Sequence, residues 1–420
     1  MEVLNVAAET LQRGVHMRWG RRRLLGTGLV GCGCLLWMLL AVGQAQPTAP
    51  ETILIGGTIA QSGPMSAEVG PFKKLMDVWA DLINEKGGLH VKAYHKKLPV
   101  KFVVYDDASK QENAVKFYER LVTVDQVHLL IGPYSSPLTF AASTVAEKHG
   151  IPMVAAEANS TAIFTRGFNW LVGVIDDGPK WSNHYFELLQ AEDKVKTIGF
   201  VIQDTLHAKE VGSGAVPRAR DIGLEVVFEE TVQSNITDFT PTITKLKTVN
   251  PDLIYVSAFP PFAIGFYKQA LELGLKPREY HIIHHGAAFR NAVGEANANY
   301  VTGENYWMPG INYGKPEVFE EVLKRTGIRL EDYPWASIHM FAFEAIQAAV
   351  EQTESLQPAS LLRALKGLDI ITLGGRLRFD PKTGQGTLNP FPTQIQRGKY
   401  VTLWPQEIAT GSHIYPRPAQ

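Results

Sequence analysis

Leu129-Leu130-Ile131-Gly132-Pro133-Tyr134-Ser135-Ser136-Pro137-Leu138 runs an apolar strand into two hydroxyls at the threshold of a helix. Residues 127–131 form a short apolar run of the buried-strand type, broken by Gly132-Pro133. Ser136 precedes Pro137; proline is tolerated in the first helical turn and serine is a favoured N-cap, so the sequence predicts a helix capped by Ser136. The free N–H groups and positive dipole end of such a terminus attract a carboxylate or phosphate. A capped helix is also ordinary structure, so the rest of the chain must decide what this one does.

On both sides of this turn, strands alternate with amphipathic helices. Ile53–Ile59 reads as a strand; Phe72, Leu75, Met76, Trp79 and Ile83 then recur at helical spacing until Lys86-Gly87-Gly88. A second strand over 100–105 ends in Asp106-Asp107, a helix follows through Ala114, Tyr118, Leu121 and Val122, and another strand covers 151–156. After Asp176-Asp177-Gly178-Pro179 the alternation restarts, with helices predicted over 180–191, 209–222, 238–248 and 262–273 and strands over 197–202, 225–232, 253–259 and 280–284. Helices near 316–326 and 335–354 precede a β-rich tail over 393–404 that turns at Arg397-Gly398-Lys399. Repeated β-α units imply an α/β fold with mostly parallel, doubly wound sheets, here two of them. Ligands in such folds sit beyond the carboxyl ends of the strands, which makes 60–69, 132–136, 156–160, 203–208, 258–262 and 284–287 the candidate loops.

Residues 1–45 read as a targeting segment. Arg18, Arg21, Arg22 and Arg23 precede 19 uncharged residues, Leu24 to Val42, and Gly43-Gln44-Ala45 suits a signal peptidase cutting before Gln46. Two other readings share the stretch: a lipoprotein box at Leu29-Val30-Gly31-Cys32, and an uncleaved anchor, since the run is long enough to span a bilayer. Gly26-Thr27-Gly28-Leu29-Val30-Gly31 matches a dinucleotide fingerprint but follows no strand, so it is set aside.

The only cysteines, Cys32 and Cys34, fall in this segment, so residues 46–420 hold no structural disulfide, thiolate metal site or cysteine nucleophile. Residues 1–45 contain five of the 41 basic and two of the 42 acidic residues, leaving the remainder at −4. That near-neutral balance, with no basic cluster, argues against nucleic acid. The 375 residues from Gln46 onward exceed what one hydrophobic core usually serves, so two domains are expected.

Several short motifs resemble the leucine/isoleucine/valine-binding family of type I periplasmic binding proteins, the solute receptors of ABC transporters. They are Ser62-Gly63-Pro64, Ile83-Asn84-Glu85-Lys86-Gly87-Gly88, Val104-Tyr105-Asp106-Asp107-Ala108, Ile131-Gly132-Pro133-Tyr134-Ser135-Ser136, Phe164-Thr165-Arg166-Gly167 and Thr237-Asp238-Phe239. The resemblance spans nearly all of the chain after residue 45. It implies two Rossmann-like lobes joined by three hinge crossings near 173–178, 303–309 and 377–381. Lobe 1 would comprise 46–174 plus 306–379, and lobe 2 would comprise 175–305 plus 380–420. It further implies an exported or periplasmic monomer that closes on a small ligand and presents the closed form to a membrane permease, with no enzyme activity, no cofactor and no metal. A sensory module serving a membrane kinase or chemoreceptor is the alternative, and an exported α/β hydrolase a more distant one.

Carried over residue by residue, the resemblance assigns Ser135, Ser136 and nearby backbone N–H groups to the ligand carboxylate. Ala158 and Asn159 stand where the family offers a small residue and a hydroxyl; Val69 and Phe259 stand where it offers aromatic residues. Where branched-chain amino acid receptors carry a Glu for the ligand ammonium, this chain has His285, so Glu157 or Asp204 would have to supply that charge or the ligand need not carry an ammonium. The ligand class is therefore a small carboxylate-bearing molecule: an amino acid, an amide, or an aliphatic or aromatic acid.

His281, His284, His285 and His339 show no metal-ligand spacing and are expected to make ordinary hydrogen bonds. Asp106 and Asp107, on opposite faces of a strand, should cap a helix or brace the cleft. Trp181 and Trp307, near the expected crossings, either touch ligand or pack the lobes.

Overall fold

A computed structural model describes residues 49–418. The targeting segment, with Cys32, Cys34 and the signal, lipoprotein and anchor readings, lies outside them. Two sheets carry the fold. The first, in spatial order, is built from Gln385–Leu388, Leu171–Ile175, Met153–Ala155, Leu129–Ile131, Ile53–Ile59 and Val100–Asp106, and every pairing in it is parallel. The second runs Lys399–Thr402, Phe391–Gln396, Thr302–Asn305, Glu279–Ile282, Leu253–Ser257, Thr197–Gln203 and Glu225–Val232. Its central strands are parallel, while Phe391–Gln396 pairs antiparallel with both neighbours. The mostly parallel α/β, two-lobe architecture follows from strands too apolar to leave either face in water: Leu129–Ile131, Met153–Ala155, Leu171–Ile175 and Leu253–Ser257 are buried at every residue.

The helices form for matching reasons. Phe72–Glu85 buries Phe72, Leu75, Met76, Trp79 and Ile83 on one stripe. It stops where Gly87 and Gly88 take positive φ and their N–H groups bond back to Asn84 and Ile83. Leu206–Asp221 starts at Thr205, whose hydroxyl accepts from the Ala208 N–H at 3.3 Å. The tail hairpin turns through Arg397 and Gly398, both at positive φ, as a two-residue turn requires.

The chain passes between sheets after Ile175, after Asn305 and between Leu388 and Phe391. The third passage falls about ten residues beyond the expected 377–381, because Gln385–Leu388 adds to the edge of the first sheet beside Leu171–Ile175. Its sequence, Gln-Gly-Thr-Leu, is polar, and it is recruited through backbone pairing and the Gln385 Nε2 bond to the Ile175 carbonyl at 2.6 Å. A search for apolar runs passes over such a strand.

Asp106 and Asp107 brace the first loop. Asp106 accepts from the Gln61, Ser62 and Ala108 N–H groups and from the Ser62 hydroxyl; Asp107 accepts from Thr58 Oγ1 at 2.6 Å. Burial pushes the Asp106 carboxyl upward, but these donors together outweigh it and hold it below its ordinary value.

A second buried polar chain ties the tail to lobe 2. Glu279 accepts from Tyr185, from Thr302 and from His413, whose other ring nitrogen lies 2.8 Å from Glu192. Burial alone would lower the His413 pKa, yet the Glu279 and Glu192 carboxylates push it up to about 9. Its folded value exceeds the ordinary 6.5, so its stabilisation is fully present below pH 6.5 and is lost as pH rises through about 9. Thermal melts from pH 6 to 10 should therefore show a steeper loss in wild type than in His413→Asn, and the variant should cost about 3 kcal/mol at pH 6. Parallel slopes would refute the assignment.

Helix Leu206–Asp221 packs on the turn Gly178–Lys180 at the first crossing through Gly214, where a Cβ would meet the Pro179 carbonyl oxygen at 1.8 Å. Gly214→Ala should destabilise the fold by about 1–3 kcal/mol in urea unfolding. A neutral result would mean the helix can slide.

Candidate functional site

The carboxyl ends of the two sheets face each other across a narrow cavity of about 20 Å³. From lobe 1, Tyr134, Ser135, Ser136, Glu157 and Asn159 line it, all at the ends of the strands Leu129–Ile131 and Met153–Ala155. From lobe 2 come His207, Phe259 and His284, each just past a strand end. Trp181 enters from the first crossing, and Trp335 and Ile338 from the start of helix Ala336–Gln352. All of these side chains are buried.

The helix after Leu129–Ile131 spans Ser136–His149, so its N-cap is Ser135, one residue before the expected Ser136, and no side chain caps it. The Ser136 hydroxyl is used elsewhere. It accepts from the Asn159 and Ser160 N–H groups at 3.2 and 3.3 Å and donates to Asn159 Oδ1 at 3.4 Å. His207 Nδ1 lies 2.7 Å from the same Oδ1, so it carries the proton and donates across the lobes. Burial pulls the His207 pKa down to about 3, which keeps the ring neutral and leaves Nε2 a bare acceptor. His284 stacks on His207 at 5.1 Å; burial, then the His207 and His285 rings, lower its pKa well below the ordinary value.

Several buried polar atoms of the wall have no hydrogen-bond partner among the described residues: Asn159 Nδ2, Trp181 Nε1, Tyr134 Oη, His207 Nε2, His284 Nδ1 and both Glu157 carboxyl oxygens. Unmade bonds of this kind cost about 1–3 kcal/mol each, so such a concentration marks a place built to receive polar groups. Glu157 is raised by burial, partly offset by His339, whose Nδ1 lies 3.5 Å away. Glu68, behind the wall, accepts from Trp335 Nε1 at 2.7 Å, and burial pushes its carboxyl up to about 7.

Of the residues singled out from sequence, Ser135, Ser136, Glu157, Asn159 and Phe259 come together in the cavity wall. Four others are elsewhere. Ala158 is buried between Glu157 and Asn159 but packs into the lobe 1 core. Val69 is fully buried core; its neighbour Glu68 is the residue turned toward the site. Asp204 pairs with Lys209 at 2.7 Å near the surface. His285 faces away from the cavity: its Nε2 lies 2.9 Å from Thr393 Oγ1 and its carbonyl accepts from Tyr400. His284, one residue earlier, is the one that lines the cavity. His207, Trp335 and Ile338 were not singled out, and His284 was read only as a histidine making ordinary hydrogen bonds, whereas its Nδ1 has no partner among the described residues; His207 and His284 lie in loops that the strand-end rule had marked. Trp181 lines the cavity, whereas Trp307 is core, with its indole N–H donating to the Ile311 carbonyl at 2.7 Å.

Ser136→Ala would strand the Asn159 and Ser160 N–H groups in a dry interior. It should lower stability by about 1–3 kcal/mol in chemical denaturation, and a change under half a kcal/mol would show that the loop finds other partners.

The comparisons with known proteins bear on the whole architecture. A family model described as Periplasmic binding protein matches residues 52–399. The Leu/Ile/Val-binding protein homolog 8 of Brucella melitensis is 24% identical over 382 residues, covering 84% of this chain and 89% of that protein. Among solved structures, the branched-chain amino acid transporter substrate-binding protein LivJ of Streptococcus pneumoniae, in complex with isoleucine, superposes with TM-score 0.73 at 20% identity, covering 87% of this chain and all of that one. A solute-binding protein of an ABC transporter from R. palustris, in complex with 4-hydroxybenzoate, gives TM-score 0.70 at 18% identity, covering 86% and 98%. The match across most of the chain, on two facing sheets linked by three crossings, makes this protein a member of the periplasmic binding protein family.

Proposed function

We propose that this chain is an extracytoplasmic solute receptor that captures a small carboxylate-bearing ligand between its lobes, without chemical change, and presents the closed form to an ABC permease. The observation that carries this reading is the cavity between the lobes, whose wall holds unpaired donors beside the Glu157 carboxyl. Asn159 Nδ2, Trp181 Nε1 and the start of helix Ser136–His149 suit a carboxylate; Glu157 suits an ammonium or another donor. Glu157 thus supplies the charge that His285 lacks, and the reading favours an α-amino acid with an apolar or aromatic side chain. Phe259, Trp181 and Trp335 suit such a side chain. Export by residues 1–45 belongs to the same proposal; among the described residues no helix is long and apolar enough to cross a membrane.

The ring-rich wall also favours a second reading, a hydroxylated aromatic acid whose hydroxyl donates to His207 Nε2. Thermal shifts of the purified chain against apolar amino acids, amides and aromatic acids separate the two. A micromolar ligand at millimolar concentration should add about 4 kcal/mol of stability. For amino acids, Glu157→Gln should remove about 1.5–3 kcal/mol of binding. Hits confined to hydroxylated aromatic acids and indifferent to Glu157→Gln would establish the second reading, and no shift from any probe would overturn both.

A further inference from the structure

On one side the cavity wall is shared with a second, outer space. This is an outer cleft of about 610 Å³, lined in part by Glu68, Pro260, Ala287, Asn291 and Tyr333. Three stretches of chain put near neighbours on opposite sides of this partition. Phe259 faces the cavity and Pro260 the cleft; His284 faces the cavity and Ala287 the cleft; Trp335 faces the cavity and Tyr333 the cleft.

Trp335 is the largest of these inward-facing side chains and, among the described residues, its side chain hydrogen-bonds to a residue lining the far side. Its ring stands 5.0 Å from His284 and 6.0 Å from Trp181, both across the lobe boundary or at the crossing. Its indole N–H donates to Glu68, a carboxyl only 3% exposed that forms part of the outer wall. Keeping a carboxyl there is unfavourable, as the rise of its pKa by burial reflects, and an apolar residue would pack without that penalty. What Glu68 supplies is orientation: a second point of attachment that holds a large flat ring in one rotamer across the gap.

We propose that Trp335, held in place by Glu68, is the specificity-determining residue for ligand length, closing the site against the outer cleft so that only compact ligands are enclosed. This rests on the ligand site proposed above. The ligand's far end meets the indole, and a ligand extended by a further ring has nowhere to go unless the indole leaves, in which case cavity and cleft become one site.

The test is isothermal titration calorimetry on the whole chain with two matched pairs of probes: phenylalanine against 4-phenylphenylalanine, and 4-hydroxybenzoate against 4′-hydroxybiphenyl-4-carboxylate. Wild type should bind a short member and reject its long partner. Trp335→Ala should shift the long-to-short affinity ratio by about tenfold or more, the scale on which pocket walls discriminate. Glu68→Ala, which keeps the ring but frees it, should shift it in the same direction by less, while Glu68→Gln, which still accepts from the indole, should leave it unchanged. Should Trp335→Ala fail to show a cooperative melt, Glu68→Ala decides. An unchanged ratio in a chain that binds the short probe overturns the length filter alone; a wild type that binds neither short probe overturns the ligand reading and the filter with it.

Discussion

One buried residue, Asn159, joins three parts of the molecule through its backbone and its side chain. Its N–H donates to the Ser136 hydroxyl at the start of a lobe 1 helix, its carbonyl accepts from Gly178 at the first crossing at 2.7 Å, and its Oδ1 accepts from His207 on a lobe 2 helix. Ser160 repeats the link to lobe 2 by donating to Glu210 at 3.1 Å. At the cleft mouth the Arg290–Asp332 pair, 2.9 Å apart, spans the same boundary. In the proposed closure, opening the lobes would break these bonds and return their groups to water, which offsets most of what each contributes. A ligand shifts that balance only by binding the closed form better than the open one, which is what the unpaired atoms of the wall would provide.

Burial sets the charge of the closed site. It raises Glu157 and Glu68 and lowers His207 and His284, moving each toward its neutral form. A dry wall with oriented donors and acceptors distinguishes ligands by the placement of their polar groups. The histidines show how strongly location decides role. His207 is a neutral bridge between lobes, His285 a structural partner of Thr393 and Tyr400, and His413 a charged link between two carboxylates.

Much of this was legible in the chain. The strand at 129–131, the hydroxyl turn after it, the restart of the β-α alternation near 176 and the strand-end loops all follow from local apolar runs and breakers, because a parallel sheet buried on both faces demands them. Ser135, Ser136, Glu157, Asn159 and Phe259 sit in those loops and meet in the cavity. The short polar strand Gln385–Leu388 was not legible, since backbone pairing recruits it and no side-chain pattern announces it. The orientation of neighbouring residues was not legible either: Glu68 against Val69 and His284 against His285 differ by one position, and beyond a strand end no period says which faces the cleft.

By itself, then, the sequence determined the α/β class, two successive β-α units and the loops where a ligand would lie, because these depend on interactions between residues close along the chain. The tertiary structure alone decided that Trp335, 154 residues after Trp181, stands 6.0 Å from it, that Glu68 reaches the indole, and that His207 meets Asn159. Those contacts arise only when the three crossings bring two separately wound sheets face to face, and nothing local in the residues encodes that approach.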